Sequence, residues 1–225
     1  MELSILQQNA ITAPPAINSV WQQFAQQLPT PSSQDHYLDS WTANTLPELH
    51  EKLNAEDHYQ QNLLTAKNEP FHQYSLTLPL FKNTLLSANL VTIEKGRYLP
   101  LHDHPNSGGF MLVIEGNVNV LHCELDATAT DTQTRLNILQ TDVLQETETN
   151  WFTATKRNIH RIESNSERSV LLVIQTPALI KKQQSFYFPL QNNVYPGKCV
   201  QVQRVRAYVL DNISKRHSSS SNNNL

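Results

Sequence analysis

Gly96-Arg-Tyr-Leu-Pro-Leu-His102-Asp-His104-Pro-Asn-Ser-Gly-Gly109-Phe-Met-Leu-Val-Ile-Glu-Gly116 is the stretch on which the reading of this 225-residue chain turns. It holds four of the five glycines in the chain, and glycine marks places where the backbone must turn or approach something closely. Gly96 lets the chain turn into an extended segment, and Gly116 lets it turn out into the next. His102 and His104 are two residues apart, so on a strand they face the same side, about 6–7 Å from each other along it. Two imidazoles placed that way can grip one metal ion. Asp103 between them faces the other way and reads as a supporting or structural residue rather than a ligand.

Outward from this stretch the chain reads as strands. Short alternating or β-branched segments follow one another at residues 74–78, 85–93, 110–114, 118–125, 135–139, 151–154, 170–175 and 200–209, with polar turn clusters at 126–134 and 164–168. Many short strands with frequent turns predict an all-β sandwich or barrel. The amino-terminal part is different. After Pro14 and Pro15, the 3–4 spacing of Ile17, Val20, Trp21, Phe24 and Leu28 predicts a helix over 16–28 that Pro29 and Pro31 stop. A short second helix is expected over 35–42. A third is expected to start at a Thr45/Glu48 capping box with Pro47 in its first turn and a stripe of Leu49, Leu53, Leu63 and Leu64. The expected organisation is a helical extension over 1–66 packed on the barrel, the barrel over 67–210, and a disordered polar tail over 211–225.

Composition narrows the function. The chain is 39% hydrophobic and 16% charged with a formal net charge of -3, which suits a globular protein and supplies no broad basic field for nucleic acid. Its longest aliphatic run, residues 170–174, is far short of the about 20 residues a membrane span needs. The first Lys or Arg is Lys52, so a signal peptide is not expected. Cys123 and Cys199 cannot build a disulfide framework, and the expectation is a reduced cytoplasmic protein. No GxSxG, GxxxxGK or GxGxxG occurs, and His50 and His58 do not form HExxH, so hydrolase, phosphate-loop and zincin readings fall away.

The spacing Gly, five residues, His-x-His, eleven residues, Gly resembles the first motif of the cupin superfamily. The resemblance implies a mainly β fold, the double-stranded β-helix or jelly-roll barrel, with a metal in its mouth. That motif carries a Glu ligand where this chain has Gly109, so the carboxylate is missing. A third ligand is expected from a later strand. His160 in Asn158-Ile159-His160-Arg161-Ile162-Glu163 is the good candidate, and His122 beside Cys123 is the competitor. Three neutral imidazoles leave a divalent metal more electrophilic than two imidazoles and a carboxylate do. Such a centre suits a substrate that brings its own anion, and a thiol loses its proton on coordination. Oxidation of that thiol to a sulfinate is the expected chemistry.

The wording of several segments is similar to the thiol dioxygenases of the cupin superfamily, the cysteine dioxygenases and the cysteamine dioxygenase–plant cysteine oxidase branch. Leu99-Pro100-Leu101-His102-Asp103-His104-Pro105 resembles that family's LPLHDHP segment, residues 158–163 its third-ligand segment, and Leu172-Val-Ile-Gln-Thr-Pro177 with Phe186-Tyr187 the end of the cysteamine branch. The resemblance covers residues 74–190. It implies one Fe(II) per chain held by His102, His104 and His160, a small thiol and O2 as partners, and a monomer. Departures bear on the substrate. Counted from Tyr74, Leu76 stands where cysteine dioxygenase has its carboxylate-binding Arg. Gly109 and Gln175 stand where its Cys–Tyr crosslink would be, Leu171, Val173 and Gln175 at its proton relay, and Leu172 at the Asp of the cysteamine branch. Tyr74, Arg97 and Arg161 are therefore the candidate substrate-binding residues. The alternatives are a cupin with Zn, Mn or Ni and other chemistry, or a non-catalytic ligand-binding cupin.

Overall fold

A computed structural model describes residues 15–29, 35–70, 75–127, 134–178, 183–190 and 196–206. Three helices come first: α1 (Pro15–Gln26), α2 (Asp35–Asn54) and α3 (Asp57–Asn68). Eleven strands follow: β1 (Leu76–Lys82), β2 (Ser87–Glu94), β3 (Tyr98–His102), β4 (Gly108–Glu115), β5 (Val118–Leu125), β6 (Thr134–Leu144), β7 (Thr149–Phe152), β8 (Ile159–Ser164), β9 (Arg168–Thr176), β10 (Ser185–Pro189) and β11 (Cys199–Arg206). They build two antiparallel arrays, a five-stranded sheet in the order β1-β2-β9-β4-β7 and a closed ring β10-β11-β6-β5-β8-β3. The mainly β fold with an amino-terminal helical part is the cupin double-stranded β-helix that the motif implied.

The central strands of the five-stranded sheet are apolar on both faces because both are covered. Phe110, Leu112 and Ile114 of β4 and Val170, Leu172 and Ile174 of β9 pack against Trp21, Phe24, Leu46, Leu49, Leu53, Tyr59 and Leu63 of the helices. The alternate residues Met111 and Val113 of β4 and Leu171 of β9 face the ring, meeting Val118, Val120, Leu144 and Ile162. A third cluster, including Leu101, Leu121, Cys123, Ile159 and Tyr187, fills the opposite face of β3, β5 and β8. The period of two along each strand thus sorts side chains between separate cores.

Two expectations about local structure are corrected. The break at Thr45 does not occur, and α2 runs unbroken for 20 residues with Pro47 inside it. An interior proline costs about 3 kcal/mol and frees the carbonyl four residues back. Leu46, Leu49 and Leu53, at 0%, 3% and 1% exposure, each return about 1.5–3 kcal/mol by burial, so packing outweighs the local defect. The strand carrying the two histidines is also shorter than expected. β3 ends at His102, and His104 lies beyond it. Strand β10 at 185–189 was not anticipated, and the expected tail over 211–225 lies outside the described residues.

Candidate metal centre

His102 closes β3, where it stands directly opposite His160 of β8. There the chain is pulled aside. Asp103 donates its backbone N–H to Ser185 O at 3.1 Å, and its carboxylate accepts from Ser185 N at 2.6 Å and Tyr187 Oη at 2.8 Å. Arg204 stands 3.6 Å from the same carboxylate. Asp103 therefore ties the segment to β10 and points away from the histidines. His104 is brought back toward the centre by Asn158. That side chain accepts from His104 N at 2.8 Å and donates to His104 O at 3.0 Å and to Thr153 O at 2.9 Å, so one carboxamide clamps the two segments that carry imidazoles.

The result is a buried group of three. The available nitrogens of His102, His104 and His160 lie within 4.8 Å of one another, and the three residues are 8%, 2% and 5% exposed. His104 Nε2 and His160 Nε2 are 3.3 Å apart. Two nitrogens bound at about 2.1 Å to one ion are separated by about 3 Å, so the spacing matches a shared cation. His102 Nδ1 donates to Pro100 O at 2.7 Å and His160 Nδ1 to Arg157 O at 3.2 Å, which leaves Nε2 of each unprotonated and facing inward. Burial holds the pKa of His102 below the ordinary imidazole range. It holds those of His104 and His160 well below, with the neighbouring imidazoles adding to burial. Three neutral nitrogen donors aimed at one point fit a divalent first-row metal.

The missing carboxylate has a structural counterpart. A Cβ added at Gly109 would lie 2.3 Å from Phe152 Cζ, 2.4 Å from Cε1 and 2.9 Å from Ile174 O. The ring of Phe152 occupies the space that a side chain at this position would need. It lies 4.3 Å from the His104 ring, centroid to centroid, and 4.9 Å from that of His160. A phenyl face thus stands where the common cupin motif has an acidic ligand.

The histidines open onto a cavity of about 170 Å³ between the sheet and the ring. Its apolar wall includes Met111, Val120, Ile162 and Val173, and its polar lining is made of histidines, Thr77 and the carboxamides of Asn89, Asn150, Gln175 and Gln184. Among the described residues no Asp, Glu, Lys or Arg lines it. Arg97 and Arg161 are elsewhere. Arg161 alternates with His160 along β8, so it points to the other face, where it meets Glu163 at 3.1 Å and lies 5.4 Å from the Tyr98 ring. Arg97 follows the Gly96 turn and pairs with Glu94 at 3.4 Å. Tyr74 lies outside the described residues. His122 does line the cavity, but its Nε2 is 3.0 Å from Asp142 Oδ2 and its ring 6.3 Å from that of His160, beside the group of three. Asn158, Phe152 and Gln175 were not singled out as contributors to the site. For Asn158 a signal existed, a carboxamide two residues before His160 on the same side of the chain.

Fold and site together define a cupin with an interior three-histidine centre. The family model PCO_ADO, for plant cysteine oxidases and cysteamine dioxygenases, matches residues 46–219, and the chain belongs to this family of thiol dioxygenases, which are metalloenzymes. No curated protein matches the chain significantly. Among solved structures it is similar to an uncharacterized conserved protein with a double-stranded β-helix domain from Klebsiella pneumoniae subsp. pneumoniae MGH 78578, at 11% identity over 49% of this chain and 78% of that one, TM-score 0.38. It is also similar to TT1209 from Thermus thermophilus, at 18% identity over 46% and 84%, TM-score 0.36. A third is the Cnp3 cupin domain of Schizosaccharomyces pombe, at 15% identity over 48% and 68%, TM-score 0.36.

Proposed function

We propose that the chain is a mononuclear non-haem Fe(II) thiol dioxygenase, with His102, His104 and His160 as the iron ligands, converting R–SH and O2 to R–SO2H. Both oxygen atoms enter the product, and the four electrons that O2 takes up come from sulfur. The observation that carries this is the convergence of three neutral imidazoles, without a carboxylate, on the wall of a cavity that no charged side chain lines among the described residues. Bound by those nitrogens, divalent iron would supply the positive charge that removes a thiol's proton and the redox chemistry that O2 requires.

The remaining work falls to the chain itself. Met111, Val120, Ile162 and Val173 keep the substrate's carbon skeleton out of water, and the carboxamides offer neutral donors and acceptors to its polar end. Among the described residues a free carboxylate finds no cation there, and burying one unpaired is costly. The substrate is therefore a thiol without a carboxylate next to it, cysteamine or a peptide with amino-terminal cysteine, in preference to free cysteine. The reading includes a cytoplasmic monomer; Cys123, buried, and Cys199, exposed, are free thiols. Among the described residues no helix is long and apolar enough to cross a membrane.

The test is oxygen uptake by anaerobically Fe(II)-loaded protein with cysteamine, an amino-terminal-cysteine peptide, L-cysteine and 3-mercaptopropionate, His160→Ala serving as the control. Uptake matched by sulfinate, and lost with His160→Ala, is the expected result. Stoichiometric iron with no uptake on any thiol overturns the proposal, and full activity in His160→Ala removes that residue from the ligand set.

A further inference from the structure

We propose that Gln175, backed by Ser87, orients His104 for the metal by accepting a hydrogen bond from His104 Nδ1–H, which commits His104 Nε2 to the shared centre. This rests on the metal reading of the three histidines given above.

An imidazole that binds a metal through Nε2 carries its proton on Nδ1 and needs an acceptor there. His102 and His160 find that acceptor in main-chain carbonyls, Pro100 O and Arg157 O. A carbonyl can only accept, so the fold alone fixes those two tautomers. His104 is different. The partner of its Nδ1 is a side chain, the carboxamide of Gln175, whose Nε2 lies 3.1 Å away. Its Oε1, at the other end, accepts from Ser87 Oγ at 3.3 Å, so the metal-bound state calls for the opposite orientation of the amide.

A carboxamide has a donor end and an acceptor end, and a half-turn about its last torsion exchanges them without moving the side chain. With nitrogen toward His104, the imidazole proton must sit on Nε2, facing His160 Nε2 at 3.3 Å. With oxygen toward His104, the proton sits on Nδ1, Nε2 is free for a metal, and the amide nitrogen donates to Ser87 Oγ. The Ser87 hydroxyl both donates and accepts, so it satisfies either orientation. Metal binding and the oxygen-inward orientation therefore select each other.

The sheet places this pair directly under the imidazole. Ser87, Gln175, Gly109 and Phe152 stand opposite one another on β2, β9, β4 and β7, so all four face the same side. Gln175 holds the edge of the His104 ring, and Phe152, tilted 33° from it, covers a face. Of the three anchors on the centre, only Gln175 can be changed by substituting a side chain.

Co(II) affinity of the metal-free protein, measured by competition with a chromophoric chelator, reads the effect without any turnover. Gln175→Leu is expected to weaken binding by about 10–100-fold, as loss of an outer partner of a ligating histidine does elsewhere. Gln175→Glu, a permanent acceptor, is expected to bind as tightly as the parent or more tightly, and Ser87→Ala to weaken binding less than Gln175→Leu. A Gln175→Leu protein that binds Co(II) as the parent does overturns the proposal. So does a folded Gln175→Glu protein that binds more weakly than the parent, which keeps the test decisive where Leu fails to fold. A folded parent that takes up no Co(II) overturns the metal reading itself.

Discussion

Replacing Gly109 by alanine tests whether the Phe152 ring fills the place of the missing ligand. The new Cβ would sit 2.3 Å and 2.4 Å from two ring carbons, whereas carbon atoms rest about 3.5–4.0 Å apart, so the ring must shift by more than an ångström. Its escape is restricted, because the His104 ring lies 4.3 Å away and Phe152 is only 7% exposed. Overpacking of this kind costs about 1–3 kcal/mol, and the backbone oxygen of Ile174 at 2.9 Å puts the expected value toward the upper end. Phe152→Ala alone should cost about 3–5 kcal/mol as a large-to-small core change. With the ring gone, Gly109→Ala keeps its contact with the Ile174 oxygen but loses the two with the ring, so its cost should fall by about 1 kcal/mol or more, a coupling in the range expected for residues in contact. Urea unfolding of the four proteins in excess chelator reads this without interference from metal binding. At a slope of about 2–3 kcal/mol per molar urea, Gly109→Ala alone should lower the midpoint by roughly 1 M. Equal costs of Gly109→Ala with and without Phe152 would show that the ring does not occupy that space.

The metal-free protein should lose stability as the pH falls through and below 6.5, the ordinary histidine value, because burial lowers the folded-state pKa of His102, His104 and His160. The unfolded chain then binds protons that the folded one does not, so stability is present above that pH and falls below it by about 1.4 kcal/mol per pH unit for each histidine charged only when unfolded. Urea midpoints from pH 8 to pH 5 measure this, and a flat profile refutes it. Asp103→Asn should destabilise by about 1–3 kcal/mol, since a carboxamide cannot accept from both the Ser185 amide and the Tyr187 hydroxyl while facing Arg204, and thermal unfolding reads the loss. In steady-state oxygen uptake, kcat/KM for cysteamine should exceed that for L-cysteine by about ten-fold or more, the least an unpaired buried carboxylate should cost. The reverse order would overturn that preference.

The three histidines that meet were legible, His102 and His104 from one local spacing and His160 as the better of two candidates on later strands, with His122 the other. Arg161, a substrate-binding candidate in the sequence, is turned away by the same period of two that turns Asp103 from His102, since it follows His160 directly. What spacing does not contain is register. Phe152 becomes relevant only because it stands opposite Gly109, and Gln175 only because it stands between Gly109 and Ser87, a residue 88 positions earlier in the chain. Nothing local announces those pairings. The continuous α2 was hidden for a related reason. Pro47 and the Thr45/Glu48 box are local signals, and three leucines buried against a distant sheet override them. Strand β10 is short and half-covered, and its place depends on the Asp103 carboxylate that receives it.

The helices reach the site through one strand. Asp39 of α2 accepts the indole N–H of Trp151 at 2.6 Å, and Trp41 lies 4.7 Å from the Phe110 ring on the strand beside it. Trp151 and Phe152 are adjacent on β7, so they face opposite sides of the sheet: one is held by the helices, the other lies over Gly109 against His104. Fixing the indole on the outer face fixes where the phenyl falls on the inner one. The lost carboxylate and the helical layer are then parts of one arrangement. A glycine leaves room, a ring held from behind fills it, and the centre keeps only neutral donors. A divalent metal there would retain its full charge, in a cavity to which the described residues contribute no anion. Under the proposed function the anion arrives with the substrate, and a thiol that ionises and carries no second negative group needing a partner is the ligand expected to fit.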